Sequence, residues 1–285
     1  MASRKRSSSV VRFREVFPQF PVDGVVTSRQ LGDFSFLKDP SCRFLMYARE
    51  DFPNLDMLLF ELGVPVSDTA PANIIKPSLN HGTAVSFIGV DSEKHRNTGL
   101  IMKPGGDGVL LEKPPRDKKR TIILSLSGDC PAAVISASKR KGNQQCFGIL
   151  HLGRRPIAKG IIGNTAAILK KQGYLINSSQ VLVTVGIGPC CYAVGEDVLG
   201  EFEKILPLSK NPSVYRKTRE NKPSVDLREA ALLLFKKAGF SQRAIRIMNG
   251  CTCCSTGRIG PKKGYLWYSY RRGDREKRFA IAFAL

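Results

Sequence analysis

Three residues that lie far apart in the chain have the side chains of one metal site: His81, Cys130 and His151. Two imidazoles and one thiolate form a borderline-soft set of ligands that suits Zn²⁺. Three protein ligands with a fourth position left open are typical of a catalytic zinc, not of a structural one. The pattern therefore indicates an enzyme, provided that the fold brings the three side chains together.

The spacing of these residues excludes a local zinc finger, because they are 49 residues (130 − 81) and 21 residues (151 − 130) apart. Each lies at the end of a strand-like run, next to Gly or Pro, and loop residues held by a rigid sheet often carry function. The alternative interpretation is two hydrogen-bonded or exposed histidines and one inert core thiol, a common setting for free cysteine.

Composition limits the class of protein. A chain of 285 residues with 42% hydrophobic residues can bury a substantial core. The net charge of +21 favours anionic partners, but it is dispersed and no aromatic-rich nucleic-acid module accompanies it. The first residues lack the apolar region of a secretory signal. We therefore expect a cytoplasmic protein with reduced thiols, with a short organelle transit segment as the alternative.

The pattern of apolar runs predicts an α/β (α+β) fold with mixed β-sheets, because strands and helices alternate while several adjacent strands look like hairpins. We expect a disordered basic tail at residues 1–14 and a single domain at residues 15–285. The more specific expectations are a strand at Arg43–Tyr47, a long loop at Asp91–Pro115, buried strands at Thr121–Leu126, Ala132–Ser136 and Phe147–Leu150, one helix at Pro156–Gln172, a helix capped by Asp226, and a strand at Tyr265–Ser269.

Eight cysteines occur in the chain, and most lie outside the His-Cys-His pattern. The adjacent pair Cys190-Cys191 is expected to lie in a turn packed under the sheet, with a reactive pair of thiols as the alternative. Cys251, Cys253 and Cys254 resemble metal ligands but lack a matching second pair in sequence, so they predict a buried thiol cluster and not a structural zinc site.

Several short motifs follow one another in a familiar order. They are H-G at His81, S-G-D-C-P around Cys130, H-L-G-R-R from His151, I-G-P-C-C-Y-A-V-G from Ile187, C-T-C-C from Cys251 and Y-S-Y-R-R from Tyr268. Together they resemble the YfiH-like laccase-domain family, long labelled multicopper polyphenol oxidase. Its members are assigned as purine nucleoside phosphorylases that also have adenosine deaminase and methylthioadenosine phosphorylase activity.

The resemblance implies a four-layer α/β/β/α sandwich in which His81, Cys130 and His151 hold one zinc per chain, with purine nucleosides and phosphate as substrates. In such a site Arg155 could clamp a phosphate oxygen pair, with Arg154 and Arg271 as further cations. Asp129 would orient a ligand or move a proton, or else it is a turn carboxylate that binds backbone N–H groups. The positions that depart from the family pattern are Leu79, Arg154, Pro156 and Ala193.

Three other function classes were weighed. Multicopper oxidation needs several coppers with two or three imidazoles each, which three histidines cannot supply, so copper is not expected. A cysteine hydrolase would use Cys130 as nucleophile and His151 as base. A basic nucleic-acid-binding protein without catalysis would not need Cys130 and is not favoured. No apolar stretch is long enough for a membrane helix, and the sequence does not indicate an oligomeric state.

Overall fold

The computed structural model describes residues 9–38, 53–64, 73–89, 101–102, 104–113, 121–140, 144–259 and 262–285, and of residues 101–102 only the backbone. The strands in these ranges are β1 (Val10–Arg12), β2 (Gly24–Thr27), β3 (Asn73–Ile75), β4 (Val85–Ile88), β5 (Ile101–Met102), β6 (Gly108–Glu112), β7 (Thr121–Ser127), β8 (Ala132–Ser138), β9 (Gln145–His151), β10 (Gln180–Val183), β11 (Tyr215–Lys217), β12 (Pro223–Val225), β13 (Ile245–Ile247), β14 (Thr256–Ile259), β15 (Lys262–Tyr265) and β16 (Phe279–Ala284). The α-helices are α1 (Phe13–Val16), α2 (Pro53–Glu61), α3 (Arg154–Ala158), α4 (Ile161–Lys171), α5 (Glu196–Ile205) and α6 (Leu227–Lys237).

Two six-stranded sheets form the centre of the fold. Sheet A has the strand order β1-β2-β16-β7-β3-β5, and sheet B has the order β13-β10-β8-β9-β6-β4. Most neighbours are antiparallel, but β3 runs parallel to β5 and β7, β4 to β6, and β10 to β13. The predicted mixed α/β fold is therefore confirmed.

The two sheets face each other across a shared apolar core, and β16 shows why its sequence suits that position. Phe279, Ile281 and Phe283 point into the core between the sheets, whereas the intervening Ala280 and Ala282 belong to the core on the outer face of sheet A. Successive side chains of a strand point to opposite faces, so both faces of this strand are buried. That burial explains why its residues read as a continuous apolar run instead of alternating with polar ones.

Helices cover the outer faces of both sheets. Residues of α3, α4, α5 and α6 pack on sheet B, and α2 with the 3₁₀ segments Arg29–Leu31 and Ser35–Lys38 packs on sheet A. The Asp226 side chain caps α6 as predicted, because it accepts hydrogen bonds from the N–H groups of Arg228 and Glu229. One core lies between the sheets and one lies under the helices on each outer face, as a layered sandwich requires. The four-layer order itself stays a prediction.

The loop predicted at Asp91–Pro115 was wrong at the strands β5 and β6, whereas residues 104–107 lie outside any strand or helix. Residues 108–112 form β6, a fully buried strand between β9 and β4 in sheet B. The short run Val109-Leu110-Leu111 was obscured by the glycines before it and the charged, proline-containing stretch after it. The strand predicted at Arg43–Tyr47 and the residues 90–100 lie outside the described part of the chain.

Two further elements differ from expectation. The helix predicted at Pro156–Gln172 is divided into α3 and α4, because Gly160 adopts a left-handed conformation (φ +95°) between them. The strand predicted at Tyr265–Ser269 ends at Tyr265. Beyond it the backbone groups of Trp267 and Ser269 bind the side chains of Arg272 and Asp274 instead of a neighbouring strand.

The amino-terminal boundary also lies earlier than expected. Within the range 1–14, Val10–Arg12 forms the edge strand β1 and Phe13 is fully buried. The predicted disordered tail is therefore wrong for residues 9–14, and residues 1–8 lie outside the described ranges. Among the helices that the structure describes, none has the length and apolar character needed to cross a bilayer.

Candidate metal centre and active site

The topology of sheet B brings His81, Cys130 and His151 to one end of that sheet. Ala132, two residues after Cys130, pairs with His151 across β8 and β9. The parallel strands β4 and β6 both begin at this end, and His81 lies in the turn that leads into β4. Residues that are 70 positions apart (151 − 81) therefore lie at the same end of sheet B, on strand ends with only β6 between them.

The three side chains approach one another at this edge, but their ligand atoms do not all lie within 4.8 Å of one another. The imidazole rings of His81 and His151 are 5.1 Å apart between centroids and nearly perpendicular (82°). Cys130 lies close enough to His151 to raise the pKa of that imidazole. His151 is buried and Cys130 is half-buried, whereas His81 is exposed. The group is thus anchored on the inside and open to solvent on the His81 side.

A buried carboxylate, Asp107, organises the histidines and was not singled out from the sequence. Its Oδ1 lies 2.7 Å from His151 Nδ1 and accepts the His81 backbone N–H at 3.0 Å. Its Oδ2 accepts the N–H groups of Gly82 at 2.7 Å and Asn80 at 3.2 Å. Such carboxylate–histidine pairs commonly fix the orientation of metal-binding imidazoles. In the sequence, Asp107 is marked only by the Gly-Gly-Asp-Gly turn before β6. That turn does not indicate that the Asp107 carboxylate binds a histidine.

The turn that carries His81 is held in a strained backbone conformation. Leu79 and His81 have positive φ angles of 52° and 58°, which side chains other than glycine rarely adopt. The three N–H groups converging on Asp107 stabilise this conformation, and Leu79 N–H also binds the Gly106 carbonyl. Backbone strain of this kind is common at functional sites.

Electrostatics distinguish the two imidazoles. Burial lowers the pKa of His151, but the neighbouring Cys130 and the hydrogen bond to Asp107 outweigh it and raise the pKa to about 9. Burial and the nearby His151 lower the pKa of His81, and the Arg155 charge adds to that effect. Burial also opposes ionisation of Asp107, yet its hydrogen bonds with His151 and Gly82 lower its pKa overall. An anionic Asp107 therefore supports a cationic or metal-bound His151.

The His151 ring has one nitrogen free for a ligand. Because Nδ1 is engaged by Asp107, Nε2 is the atom that faces the site. A Cβ atom built on Gly153 would lie 3.0 Å from His151 Nε2 and 3.3 Å from Cys130 Sγ. Glycine at this position therefore keeps space beside the two donor atoms.

Gly153→Ala is expected to weaken zinc binding without a backbone penalty, because Gly153 already has a φ of −68° that alanine accepts. Overpacking typically costs about 1–3 kcal/mol, which corresponds to roughly 5- to 150-fold in zinc affinity measured by chelator competition. Gly163→Ala, in an open position of α4, is the matched control. It should raise stability by about 0.5–1 kcal/mol and leave zinc affinity unchanged. Equal zinc affinity in both variants would mean that Nε2 and Sγ do not share an ion.

The three arginines expected at the site differ in their availability. Arg154 forms an ion pair with Glu201 at 2.7 Å. Arg271 donates to the Ala193 carbonyl at 2.9 Å and lies over the Tyr192 ring at 5.1 Å. Arg155 is exposed and close enough to His81 to influence its pKa, and its side chain has no hydrogen bond or ion pair within the described residues. Arg155 is therefore the arginine of the three that is best placed to take an anion.

Asp129 lies beside Cys130 but is engaged by two loops. Thr252 Oγ1 donates to its Oδ1 at 2.6 Å, and the Arg271 backbone N–H donates to its Oδ2 at 2.8 Å. Burial raises the pKa of Asp129 in spite of these bonds. The contacts are those of a carboxylate that connects turns, and a role in proton transfer stays a proposal.

The comparisons with known proteins assign the class. A profile of the family described as multi-copper polyphenol oxidoreductase laccase matches residues 62–283. The chain therefore belongs to this family. It resembles the crystal structures of YlmD from Geobacillus stearothermophilus (TM-score 0.71, 21% identity, 98% of this chain and 97% of that one) and of YfiH from Bacillus licheniformis (TM-score 0.69, 20% identity, 98% and 97%). At these identities the structures support the fold alone.

Three curated relatives bear the name purine nucleoside phosphorylase. YlmD from Geobacillus stearothermophilus is 32% identical over 172 residues, covering 59% of this chain and 56% of that protein. A relative from Clostridium acetobutylicum is 28% identical over 201 residues (67% and 75%), and one from Xylella fastidiosa is 29% identical over 159 residues (56% and 55%). The matched region spans little more than half the length of the first and third relatives.

Proposed function

We propose that this protein is a zinc-dependent purine nucleoside phosphorylase in which His81, Cys130 and His151 hold the metal. The observation that carries the proposal is the buried Asp107–His151 pair, which leaves His151 Nε2 facing the site next to Cys130 and beside the exposed His81. The relatives named above support phosphorolysis as the reaction.

The donor set fits zinc better than copper, in spite of the description that the family carries. Two nitrogens and one sulfur are typical zinc donors, and three protein ligands leave a position for a substrate. Three histidines in the whole chain are too few for several copper ions. The three donors are less compactly grouped than the cysteine cluster described below, so sharing an ion would draw the exposed His81 ring inward.

Phosphorolysis breaks the bond between C1′ of ribose and the purine nitrogen, and the bonding electrons leave with the base. An oxygen of hydrogen phosphate bonds to C1′, and the proton that the phosphate loses is taken up by the departing base. A zinc ion in the centre would supply a Lewis acid for an oxygen of phosphate or water. Arg155, being unpaired within the described residues, would bind and orient the phosphate. Arg271 and the ion-paired Arg154 lie beside Tyr192, where they would limit the space for the nucleoside.

We extend the proposal to adenosine deaminase and methylthioadenosine phosphorylase activity, because all these reactions use a purine nucleoside. Deamination needs a water near the purine C6 and a group that moves a proton. The raised pKa of Asp129 suits a group that carries a proton. Its carboxylate would have to do so while it also accepts hydrogen bonds from Thr252 and from the Arg271 backbone. The cytoplasm, where nucleosides and phosphate occur together, is the compartment that we propose.

The test is incubation of zinc-loaded protein with adenosine, inosine, guanosine and methylthioadenosine, each with and without phosphate, followed by separation of free base and deaminated nucleoside. We expect free base that depends on phosphate and is lost after chelation. Neither base nor deaminated product from any of the four nucleosides would contradict the proposal.

A second candidate, a cysteine hydrolase, is favoured by one observation. Cys130 lies beside His151, whose ring is hydrogen-bonded to Asp107, and this resembles the arrangement of a nucleophile, a base and an orienting carboxylate. Metal dependence distinguishes the two functions. A hydrolase of this type would keep its activity in a chelator and lose it on thiol alkylation, whereas a zinc phosphorylase would be inactivated by the chelator.

A further inference from the structure

Four cysteines from two distant segments meet near the turn that carries Asp129 and Cys130. The sulfur atoms of Cys190, Cys191, Cys251 and Cys254 all lie within 4.8 Å of one another. Among the residues that the structure describes, this is the group of metal-type ligands with the closest spacing. Cys253, which was grouped with Cys251 and Cys254 from the sequence, is not a member. The pair Cys190-Cys191 supplies the second pair of ligands that the sequence did not show.

The parallel pairing of β10 and β13 brings the two segments together. Val183 pairs with Ile247, and the chains continue side by side to an isolated bridge between Gly186 and Cys251. Two turns therefore leave the same sheet edge, one carrying Cys190 and Cys191 and the other carrying Cys251 and Cys254. No local spacing in the sequence records this pairing.

The sulfur positions match the size of a single tetrahedral ion. Zinc–sulfur bonds of about 2.3 Å place the corners of a tetrahedron about 3.8 Å apart. Cys190 Sγ and Cys254 Sγ are 3.7 Å apart. A cluster of several metal ions would require a wider separation of the four sulfurs, whereas a disulfide would require a much shorter distance between two of them.

The surroundings also suit thiolate sulfur. The Gly188 backbone N–H donates to Cys251 Sγ at 3.1 Å, a type of contact that stabilises metal-bound thiolates. A Cβ atom on Gly188 would approach Cys190 Sγ to 3.2 Å and Cys251 Sγ to 3.5 Å, so glycine allows the backbone this close. Arg219, whose N–H binds the Cys190 carbonyl, brings a positive charge to the same turn.

We propose that Cys190, Cys191, Cys251 and Cys254 form a second metal site, a tetrathiolate zinc site with no open position. On binding, each thiol releases its proton to solvent and donates a sulfur lone pair, which leaves the zinc and its ligands with a net charge of −2 that Arg219 partly offsets. Four protein ligands and no open position are typical of structural zinc. The ion would connect the turns after β10 and β13.

This site is structurally coupled to the candidate active site. Thr252, next to Cys251, donates the hydrogen bond to Asp129, and the Ile187 backbone N–H binds the Asp129 carbonyl at 2.7 Å. Both turns of the cysteine cluster thus contact the residue that precedes Cys130. Zinc in the cluster would therefore hold the Asp129–Cys130 turn in place.

The test counts metal in the full-length Cys130→Ala variant, which isolates the second site, after dialysis against a competing chelator. We expect about one zinc per chain, surrounded in X-ray absorption spectra by four sulfur neighbours at about 2.3 Å. Adding Cys254→Ala should remove that zinc, whereas adding Cys253→Ala, the matched control, should retain it. Metal content is independent of turnover, so the outcome does not depend on the proposed function.

Each of three results would overturn the second site: a zinc-free Cys130→Ala protein, spectra dominated by nitrogen or oxygen neighbours, or equal zinc retention by the Cys253 and Cys254 variants. The spectra are recorded on Cys130→Ala itself, so the conclusion stands even if loss of Cys254 prevents folding. Mass spectrometry that found Cys190 and Cys254 joined by a disulfide would assign the cluster to redox chemistry instead.

Discussion

Cys130→Ala is expected to abolish phosphorolysis while the protein stays folded. Removal of the sulfur leaves two imidazoles, one of them on an exposed turn, which is too few ligands to retain zinc under chelator competition. Loss of a Lewis acid that contributes several kcal/mol to the transition state corresponds to at least about 10³-fold in kcat/KM. The half-buried side chain is small, so the free energy of unfolding should fall by only about 1 kcal/mol.

Cys146→Ala is the matched control for this prediction, because Cys146 is buried on β9 of the same sheet. It should lower stability by a similar or larger amount and leave zinc content and kcat/KM unchanged. Zinc content should fall by about one per chain in Cys130→Ala, the ion of the cysteine cluster remaining. Full activity of Cys130→Ala would contradict the proposed centre, and unfolding of this variant would indicate a structural role for the residue.

Asp107→Asn is expected to weaken both the metal centre and the fold around it. An asparagine has one acceptor oxygen in place of two, so it cannot serve the His151 ring and the turn at His81 and Gly82 together. Loss of a carboxylate that orients a metal-binding histidine typically costs about 10- to 100-fold in metal affinity or activity. The unpaired backbone N–H groups should cost a further 1–3 kcal/mol of stability, as an approximate range.

Glu112→Gln separates these two effects, because Glu112 is the buried carboxylate at the other end of β6. It accepts hydrogen bonds from Tyr174 at 2.7 Å and Lys139 at 2.8 Å, far from the histidines along the strand. This control should lose stability and keep its zinc affinity. Similar zinc affinities for the Asp107 and Glu112 variants would show that Asp107 supports the turn without orienting a metal ligand.

The elements whose signal is local could be predicted from the sequence. The apolar runs of β7, β8 and β9 are strands because both of their faces are buried, and the Asp226 cap follows from the side chain and the helix that it precedes. Local signals failed where conformation depends on one glycine, as at Gly160, or where a short strand is enclosed by glycine and charge, as in β6. For β6 the neighbouring strands β9 and β4 decide the structure.

Asp107 and the cysteine cluster were not predicted from the sequence, and the reason is the same for both. Asp107 matters because β6 lies between β9 and β4, and the cysteine cluster forms because β10 lies beside β13. Both contacts depend on strand order, which residue types and spacing do not encode locally. His81, Cys130 and His151 were found because the three residue types are chemically distinctive and their motifs occur in a known order.

The two candidate centres are connected through one residue, Asp129. The residue after Asp129 is Cys130. The Asp129 carboxylate accepts a hydrogen bond from Thr252, which lies in the same segment as Cys251 and Cys254. The site that would carry the reaction lies on strand ends of sheet B, while the cluster would fix the turns beside it. Zinc removal should therefore affect two properties, turnover through the histidines and Cys130, and rigidity through the four cysteines.

The most direct measurement is a crystal structure of the zinc-loaded protein with anomalous diffraction recorded at the zinc edge. The expected result is a peak bound by His81, Cys130 and His151, with nitrogens at about 2.0–2.1 Å, sulfur at about 2.3 Å and a solvent or phosphate oxygen in the remaining position. A loaded crystal with no peak among these three side chains, or with a fourth protein ligand closing the ion off, would contradict the proposed active site.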